Sequence, residues 1–296
     1  MGSANNDDGK MKRGTGLLVL EAVNSNPNGD PDRESDPRQR NDGRGLISPV
    51  SFKRKLRDLV ENKDGPVWEE VSQSFGSLPE EEFAILESRG RDRGQIRDEM
   101  EDGTFQNKYW DGRLFGNTFL EEEASTHIKT GVAQYGLGVS ISPIEIDRMT
   151  TTNKAGVEGD KDRGMAPMSY RIVEHGVYCM PFFVNPTAAT KSGCTKRDVE
   201  LMLRLIPHAY THTASYVRPS VNIRHAWYVQ HNSPLGSCPD HAILDGLRPE
   251  KKGDADEPST GWDDYDAPTE LSKDVLKRVE WCKDIMTLEE GEWVSL

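Results

Sequence analysis

The stretch LLVLEAV (Leu17–Val23) runs without transition into NSNPNGDP (Asn24–Pro31). Six of the first seven residues are apolar and rich in Leu and Val, the composition of a buried strand. The next eight hold three asparagines, two prolines, a glycine and an aspartate, and no regular element continues through two prolines. The chain must therefore leave its core at Val23, either in a plain turn or in a backbone shaped to meet a ligand. Core segments of this kind are scarce in a chain of 296 residues with 34% hydrophobic content and a mean hydropathy of -0.72. The polar loop from Asn24 to Ile47 shows no periodicity of its own, and loops of that length inside a domain are usually functional or disordered. It interleaves Arg33, Arg38, Arg40 and Arg44 with Asp30, Asp32, Glu34, Asp36 and Asp42.

A helix follows in SPVSFKRKLRDLVEN. Ser48 suits its N-cap and Pro49 its first position. Phe52, Leu56, Leu59 and Val60 fall at i, i+4, i+7 and i+8 and form one apolar stripe. Lys53, Arg54, Lys55 and Arg57 flank that stripe as a basic rim. Cations in the first half of a helix oppose its macrodipole, at roughly a few tenths of a kcal/mol each, a cost that an anionic partner would offset. The plain alternative is a solvated helix face.

Residues 61–110 are acidic and weakly periodic, and read as a helical insertion. Strand patterns return in Gly131–Met149 and Ser169–Asn185, bracketing a polar, Gly-rich excursion. The spacing predicts a protruding hairpin over 149–168, with its tip between Thr150 and Gly164. Thr195 and Asp198 open a further helix in capping-box fashion, with Val199, Met202, Leu203 and Ile206 as its apolar face. Val221–His231 reads as a strand and Leu271–Met286 as a helix. Strand, helix, strands, helix, strand is an α+β order compatible with βαββαβ.

The net charge of -13 argues at first against a nucleic-acid partner, but the charge is not spread evenly. Residues 61–123 carry 7 basic and 17 acidic side chains, and residues 240–296 carry 7 and 16. The remaining blocks are mildly basic, and the local field, not the net charge, governs phosphate binding. The four cysteines are scattered without C-x-x-C spacing, which points to a reducing compartment and a cytoplasmic protein. No apolar stretch approaches the ~20 residues that span a bilayer, and the start lacks the apolar core of a signal peptide. Residues 1–15 read as a disordered tail.

Catalytic signatures are missing. There is no phosphate-cradling G-x-x-x-x-G-K-[ST] loop, no dinucleotide fingerprint and no G-x-S-x-G elbow. His208 and His212 stand four apart, but Pro207 breaks the helix and no further ligand accompanies them, so a metal is not expected. Asp30 and Asp32 could serve as acid–base groups, although an aspartate in a Gly/Pro loop more often satisfies its own turn.

Taken together, N-x-N-P-N-G-D-P after a strand, G-R-G-L-I, and F-K-R-K-L-R on a helix resemble the backbone subunit of type I CRISPR Cascade complexes (the Cas-seven family, RAMP superfamily), most closely subtypes I-C and I-B. RLFG (Arg113–Gly116), EIDRMTTTNK (Glu145–Lys154), HGVYCMPFFVN (His175–Asn185) and the region of Arg218 and Arg224 match in order. The resemblance spans about Leu17 to Asp245 and leaves 61–109 and 246–296 as the poorest matches.

The resemblance implies a modified RRM-like (ferredoxin-like) palm forming a single domain over 16–296. On it sit the helical insertion 61–110, a thumb hairpin over 149–168 and an acidic C-terminal extension 246–296. It implies a non-catalytic subunit that polymerises along a CRISPR guide RNA and displaces bases at intervals, so that the segments between them pair with target DNA. Its partners would be copies of itself, guide-end-capping and large Cascade subunits, and a recruited helicase-nuclease, with no membrane and no cofactor. The implied RNA contacts are Asn24, Asn26, Asn28, Gly29, Arg44, Lys53, Arg54, Lys55, Arg57, Arg113, Phe115, Gly116, Arg148, Met149, Lys154, Arg163, Met165 and Arg218. A second reading is a type III-like backbone subunit that cuts RNA with Asp30. A third, an unrelated RRM module, lacks the stacking aromatics of that signature.

Overall fold

A computed structural model describes residues 10–88, 93–101, 103–117, 129–154, 165–289 and 292–293. Its centre is β1 (Gly14–Ser25), which pairs antiparallel on both sides and is buried for most of its length. The uninterrupted apolar run has a simple cause, because both faces of this strand are covered. Leu18, Leu20 and Ala22 point into one core and Leu17 and Val19 into another.

The main sheet contains β1, β2 (Arg44–Ile47), β3 (Ala133–Tyr135), β4 (Gly138–Pro143), β5 (Ile146–Lys154), β6 (Met165–Val184), β7 (Val221–His231) and β8 (Val279–Asp284). Its order is β8-β7-β1-β6-β4-β2, with β3 and β5 also pairing to β6. Helix α1 (Pro49–Glu61) follows β1 and β2. Helices α2 (Pro66–Ser74), α3 (Arg93–Glu101) and α4 (Trp110–Phe115) come next in the chain, and α5 (Lys196–Leu205) lies between β6 and β7. The protein is thus α+β with a large antiparallel sheet, and its four central strands follow the order of a split βαβ arrangement.

The first core packs α1, α2, α4 and α5 against the sheet through Phe52, Leu56, Trp110, Leu114, Val199 and Met202. The acidic region 61–110 is therefore not a mere appendage, since Val67, Trp68, Val71, Leu78 and Phe83 join that core. Its poor periodicity reflects short helices joined by turns. The second core lies on the opposite face, where α6 (Asp240–Leu247) contributes Ile243 and Leu247, and Tyr265, Leu271 and Val279 complete the cover.

The C-terminal expectation needs correction. In place of a helix over Leu271–Met286 there is one short turn at Lys273–Leu276, followed by β8 on the sheet edge. Pairing with β7, from Trp227 opposite Asp284 to His231 opposite Val279, supplies backbone partners that local propensity does not foresee. The loop Asn24–Ile47 is also more ordered than its composition indicates. It closes a two-residue ladder, Gly29–Asp30 with Asp36–Pro37, and ends in β2.

One glycine shows how tightly the layers meet. A Cβ on Gly131 would lie 2.1 Å from the carbonyl carbon of Phe115 and 2.3 Å from the nitrogen of Gly116. Because both are backbone atoms, Gly131→Ala is expected to cost about 1–3 kcal/mol or more, measurable as a lowered denaturant midpoint. An unchanged midpoint would contradict this packing.

Candidate functional site

The loop after β1, the N-terminal half of α1, the base of the β5–β6 hairpin and the segment before β7 converge on one side of the sheet. Ser48 caps α1 by accepting from Ser51 N at 3.2 Å, and its own N–H donates to Asn28 Oδ1 at 2.7 Å. Asn26 donates through Nδ2 to the Ser35 carbonyl at 2.8 Å, and its backbone N–H donates to the Val217 carbonyl at 2.7 Å. Asn26 and Asn28 are buried, so they hold the loop's shape, and only Asn24 of the three asparagines is exposed. The backbone of the loop is unusual: Asn24, Glu34 and Ser35 all have left-handed φ values, of 46, 49 and 65°. Such residues cost on the order of 1–3 kcal/mol each and cluster where function demands a fixed shape. Gly29 sits in close contact, its Cβ position 3.1 Å from the Ser35 carbonyl oxygen.

The basic rim of α1 divides into two groups. Arg54 is held by Asp58 at 2.7 Å and Glu61 at 2.8 Å. Arg57 is buried against Asp111 at 2.8 Å and also meets Glu87 at 3.3 Å. Arg113 is likewise buried. It pairs with Asp198 at 2.8 Å and donates to the carbonyls of Glu82, Gln106 and Asn107. In the free chain these guanidiniums are internally satisfied, Arg57 and Arg113 within buried ion pairs. Phe115 is buried beneath the rim, and Gly116, with φ of 83°, turns the chain out of α4.

Lys53, Lys55 and Arg218 form the second group. Lys53 lies over the Phe115 ring at 5.0 Å. Lys55 donates to the Thr213 carbonyl at 3.3 Å, and Arg218 Nε donates to the Asn26 carbonyl at 2.9 Å. No carboxylate lies within ion-pair distance of these three among the described residues. Burial lowers the Lys53 ammonium to about 8, with the Arg57 charge adding to the effect. Burial also lowers Lys55 to about 8, and there the second cause is Arg218. Desolvated cations that repel one another are costly unless something anionic arrives.

The hairpin base carries the remaining features. Met149 pairs with Tyr170, and Tyr170 meets Tyr216 edge-on at 5.5 Å. Met149 is 44% exposed and Tyr216 61%, which leaves an apolar patch beside the segment that bears Arg218. One register step away Arg148 faces Arg171, and Asp36 binds both, at 2.6 and 2.9 Å. Glu34 adds a further ion pair to Arg171. The Arg148 hydrogen bond, helped by Arg171, outweighs desolvation and holds the Asp36 carboxyl below its ordinary value. Lys154 pairs with Met165 at the far end of the ladder, and Arg163 lies outside the described residues. Arg44 stands apart, tied to Asp42 and Asp256 at 3.3 Å each. Sequence reasoning missed Arg171 and Tyr216. The only signal for Tyr216 is an aromatic two positions before an arginine.

Asp30 accepts from Asp32 N at 3.3 Å, capping the short turn Pro31–Arg33, and lies 3.5 Å from Arg38. That is the geometry of a turn aspartate. Among the described residues no group of three His, Cys, Asp or Glu could hold a metal ion, and no helix is long and apolar enough to cross a membrane.

The opposite sheet face is sealed by a polar latch. His175 hydrogen-bonds Ser259 Oγ at 2.7 Å and Glu21 at 3.1 Å, and Arg224 holds the other Glu21 oxygen at 2.7 Å. Burial would raise the Glu21 carboxyl, but His175 and Arg224 together outweigh it and leave the group below its ordinary value. Trp227 is buried on this face. Stacking of bases on an open sheet, the mode of an ordinary RRM, is thereby blocked.

The fold and site define an α+β protein with a two-sided core and, among the described residues, cations without ion-pair partners beside a strained loop and the antiparallel β5–β6 ladder. Residues 12–270 match the family described as CRISPR-associated protein Cas7, and the chain belongs to that family. Among curated proteins none matches its sequence significantly. Among solved structures it is similar to a chain of a "CRISPR RNA-guided surveillance complex, pre-nicking", with 15% identity over 75% of this chain and 79% of that one and a TM-score of 0.45. It is also similar to a chain of a "CRISPR RNA-guided surveillance complex", with 16% identity over 78% and 75% and a TM-score of 0.36. At those scores family membership rests on the sequence match.

Proposed function

We propose that this chain is a non-catalytic backbone subunit of a type I CRISPR surveillance complex, closest to subtypes I-C and I-B, with a modified RRM-like palm and β5–β6 as its thumb. Copies assemble along a guide RNA, hold its phosphates and displace bases at intervals, leaving the rest to pair with target DNA. The observation that carries this reading is that Lys53, Lys55 and Arg218 have no carboxylate within ion-pair distance among the described residues, with Lys55 and Arg218 close enough to repel each other, beside a loop held in strained geometry. Single-stranded RNA phosphates would neutralise it, and Met149 with Tyr170 and Tyr216 offers an apolar surface to an unstacked base. Guide-end-capping and large subunits and a helicase-nuclease are the further partners this reading implies. The turn geometry of Asp30 favours it over RNA cleavage by that residue.

The test is binding of the full chain to unrelated single-stranded RNAs across a salt series. Binding should be tolerant of sequence and leave the RNA intact. Arg218→Gln should reduce the slope of log affinity against log salt by about 0.7, the value for one lost phosphate contact. RNA cleavage that Asp30→Ala abolishes would contradict the reading.

A further inference from the structure

Arg148 and Arg171 are direct cross-strand partners at the base of the hairpin, an arrangement of like charges that destabilises a strand pair by itself. Asp36, from the loop after β1, bridges them and is largely buried by doing so, while Glu34 reinforces Arg171. The same loop is fixed at its other end to α1 through Asn28 and Ser48, and to the segment before β7 through Asn26 and Val217. Side chains alternate along strands, so the Arg148–Arg171 pair and the adjacent Met149–Tyr170 pair lie on opposite faces of the hairpin. One face is clasped by Asp36. The other presents exposed Met149 beside Tyr216.

We propose that Asp36 is a positioning residue: by bridging Arg148 and Arg171 it fixes the tilt of the β5–β6 hairpin relative to α1, and so decides where Met149 displaces a base of the bound RNA. This rests on the guide-binding reading above and deepens it. Asp36 touches no RNA itself. Phosphate affinity resides at Lys53, Lys55 and Arg218, so Asp36 governs the register of displacement and leaves the strength of binding alone.

The two effects separate in one experiment. The full chain is assembled on RNAs carrying 2-aminopurine at successive positions, whose fluorescence rises where a base is unstacked, and affinity is measured on the same samples. Wild type should give a rise at defined positions. Asp36→Asn should keep its affinity but lose that pattern, with the signal spread over neighbouring positions, and Asp36→Glu should restore it. Hydrogen exchange of the amides in 34–38, 146–154 and 165–173 should rise together in Asp36→Asn. An Asp36→Asn variant with the wild-type fluorescence pattern would overturn the proposal, whether its melting temperature fell or not. Tighter RNA binding with an unchanged pattern would also overturn it, by showing that Asp36 merely competes with phosphate. Wild-type chain that binds no RNA would overturn the guide reading itself, and the proposal with it, whereas wild-type binding with an insensitive Asp36 variant removes the proposal alone.

Discussion

Asp198→Ala should lower the stability of the free chain by about 3–5 kcal/mol, the range for leaving one partner of a buried ion pair uncompensated. The Arg113 guanidinium is 7% exposed and Asp198 1%, so neither can turn to water. Asp198 also accepts from Thr195 N at 2.7 Å and Thr195 Oγ1 at 3.0 Å, closing the capping box of α5, and loss of such a cap adds roughly 1 kcal/mol. Against a typical total of about 5–15 kcal/mol, that loss takes a large share of the fold's stability. Urea denaturation reads it directly. Arg113→Met combined with Asp198→Asn should recover part of the loss, because no charge is then stranded. A change below about 1 kcal/mol for Asp198→Ala would mean that the pair is not buried as described.

Lys53→Gln combined with Lys55→Gln should weaken RNA binding by at least about 100-fold with the fold retained, since charge-assisted contacts contribute about 1.5–3 kcal/mol each. The salt slope should fall by about 1.4, two contacts' worth on a single strand. Glutamine keeps most of each side chain's length and removes the buried charge, so the variant should melt no lower than wild type. The same lysines make binding depend on pH. Each ammonium lies at about 8 in the folded chain, against 10.5 for an ordinary lysine. Between those values the unfolded chain holds more protons than the folded one, so this burial penalty on stability is full below about 8 and is relieved as pH rises. Phosphate favours the charged ammonium, so binding draws protons in and weakens as pH climbs through about 8. Titration calorimetry near that pH in buffers of different ionisation heat should show the uptake in wild type and not in the double variant. Equal affinity of the two chains at low salt would remove these lysines from the interface.

The elements that the sequence announces are those whose signals are local. The apolar run of β1, the stripe and Ser48 cap of α1, the Thr195–Asp198 box of α5 and the strand pattern of β7 all appear as read, whereas β5 and β6 run on into the segment read as a polar excursion, to Lys154 and from Met165. Readings that depend on distant partners fared worse. Arg57 and Asp111 are 54 residues apart, and Arg113 and Asp198 are 85. Nothing in a run such as FKRKLR shows which cation a remote carboxylate will claim. Rim membership therefore identifies Lys53 and Lys55 as candidates but cannot separate them from Arg57. Nor does NSNPNGDP show that Asn26 and Asn28 face inward, because their partners Ser35 and Ser48 lie further along the chain. The stretch is a shaped backbone, as its composition indicates, but its side chains hold that shape from within. Strand β8 went unread because its stability comes from pairing with β7.

The most direct measurement is purification of the chain expressed with its CRISPR array and neighbouring subunits, followed by sizing and RNA analysis of what it carries. The account predicts a large assembly containing several copies of this chain on intact RNA of one defined length, and the Lys53→Gln/Lys55→Gln chain left outside it. A monomer free of RNA, or an assembly that takes up the double variant as readily as the wild type, would contradict it.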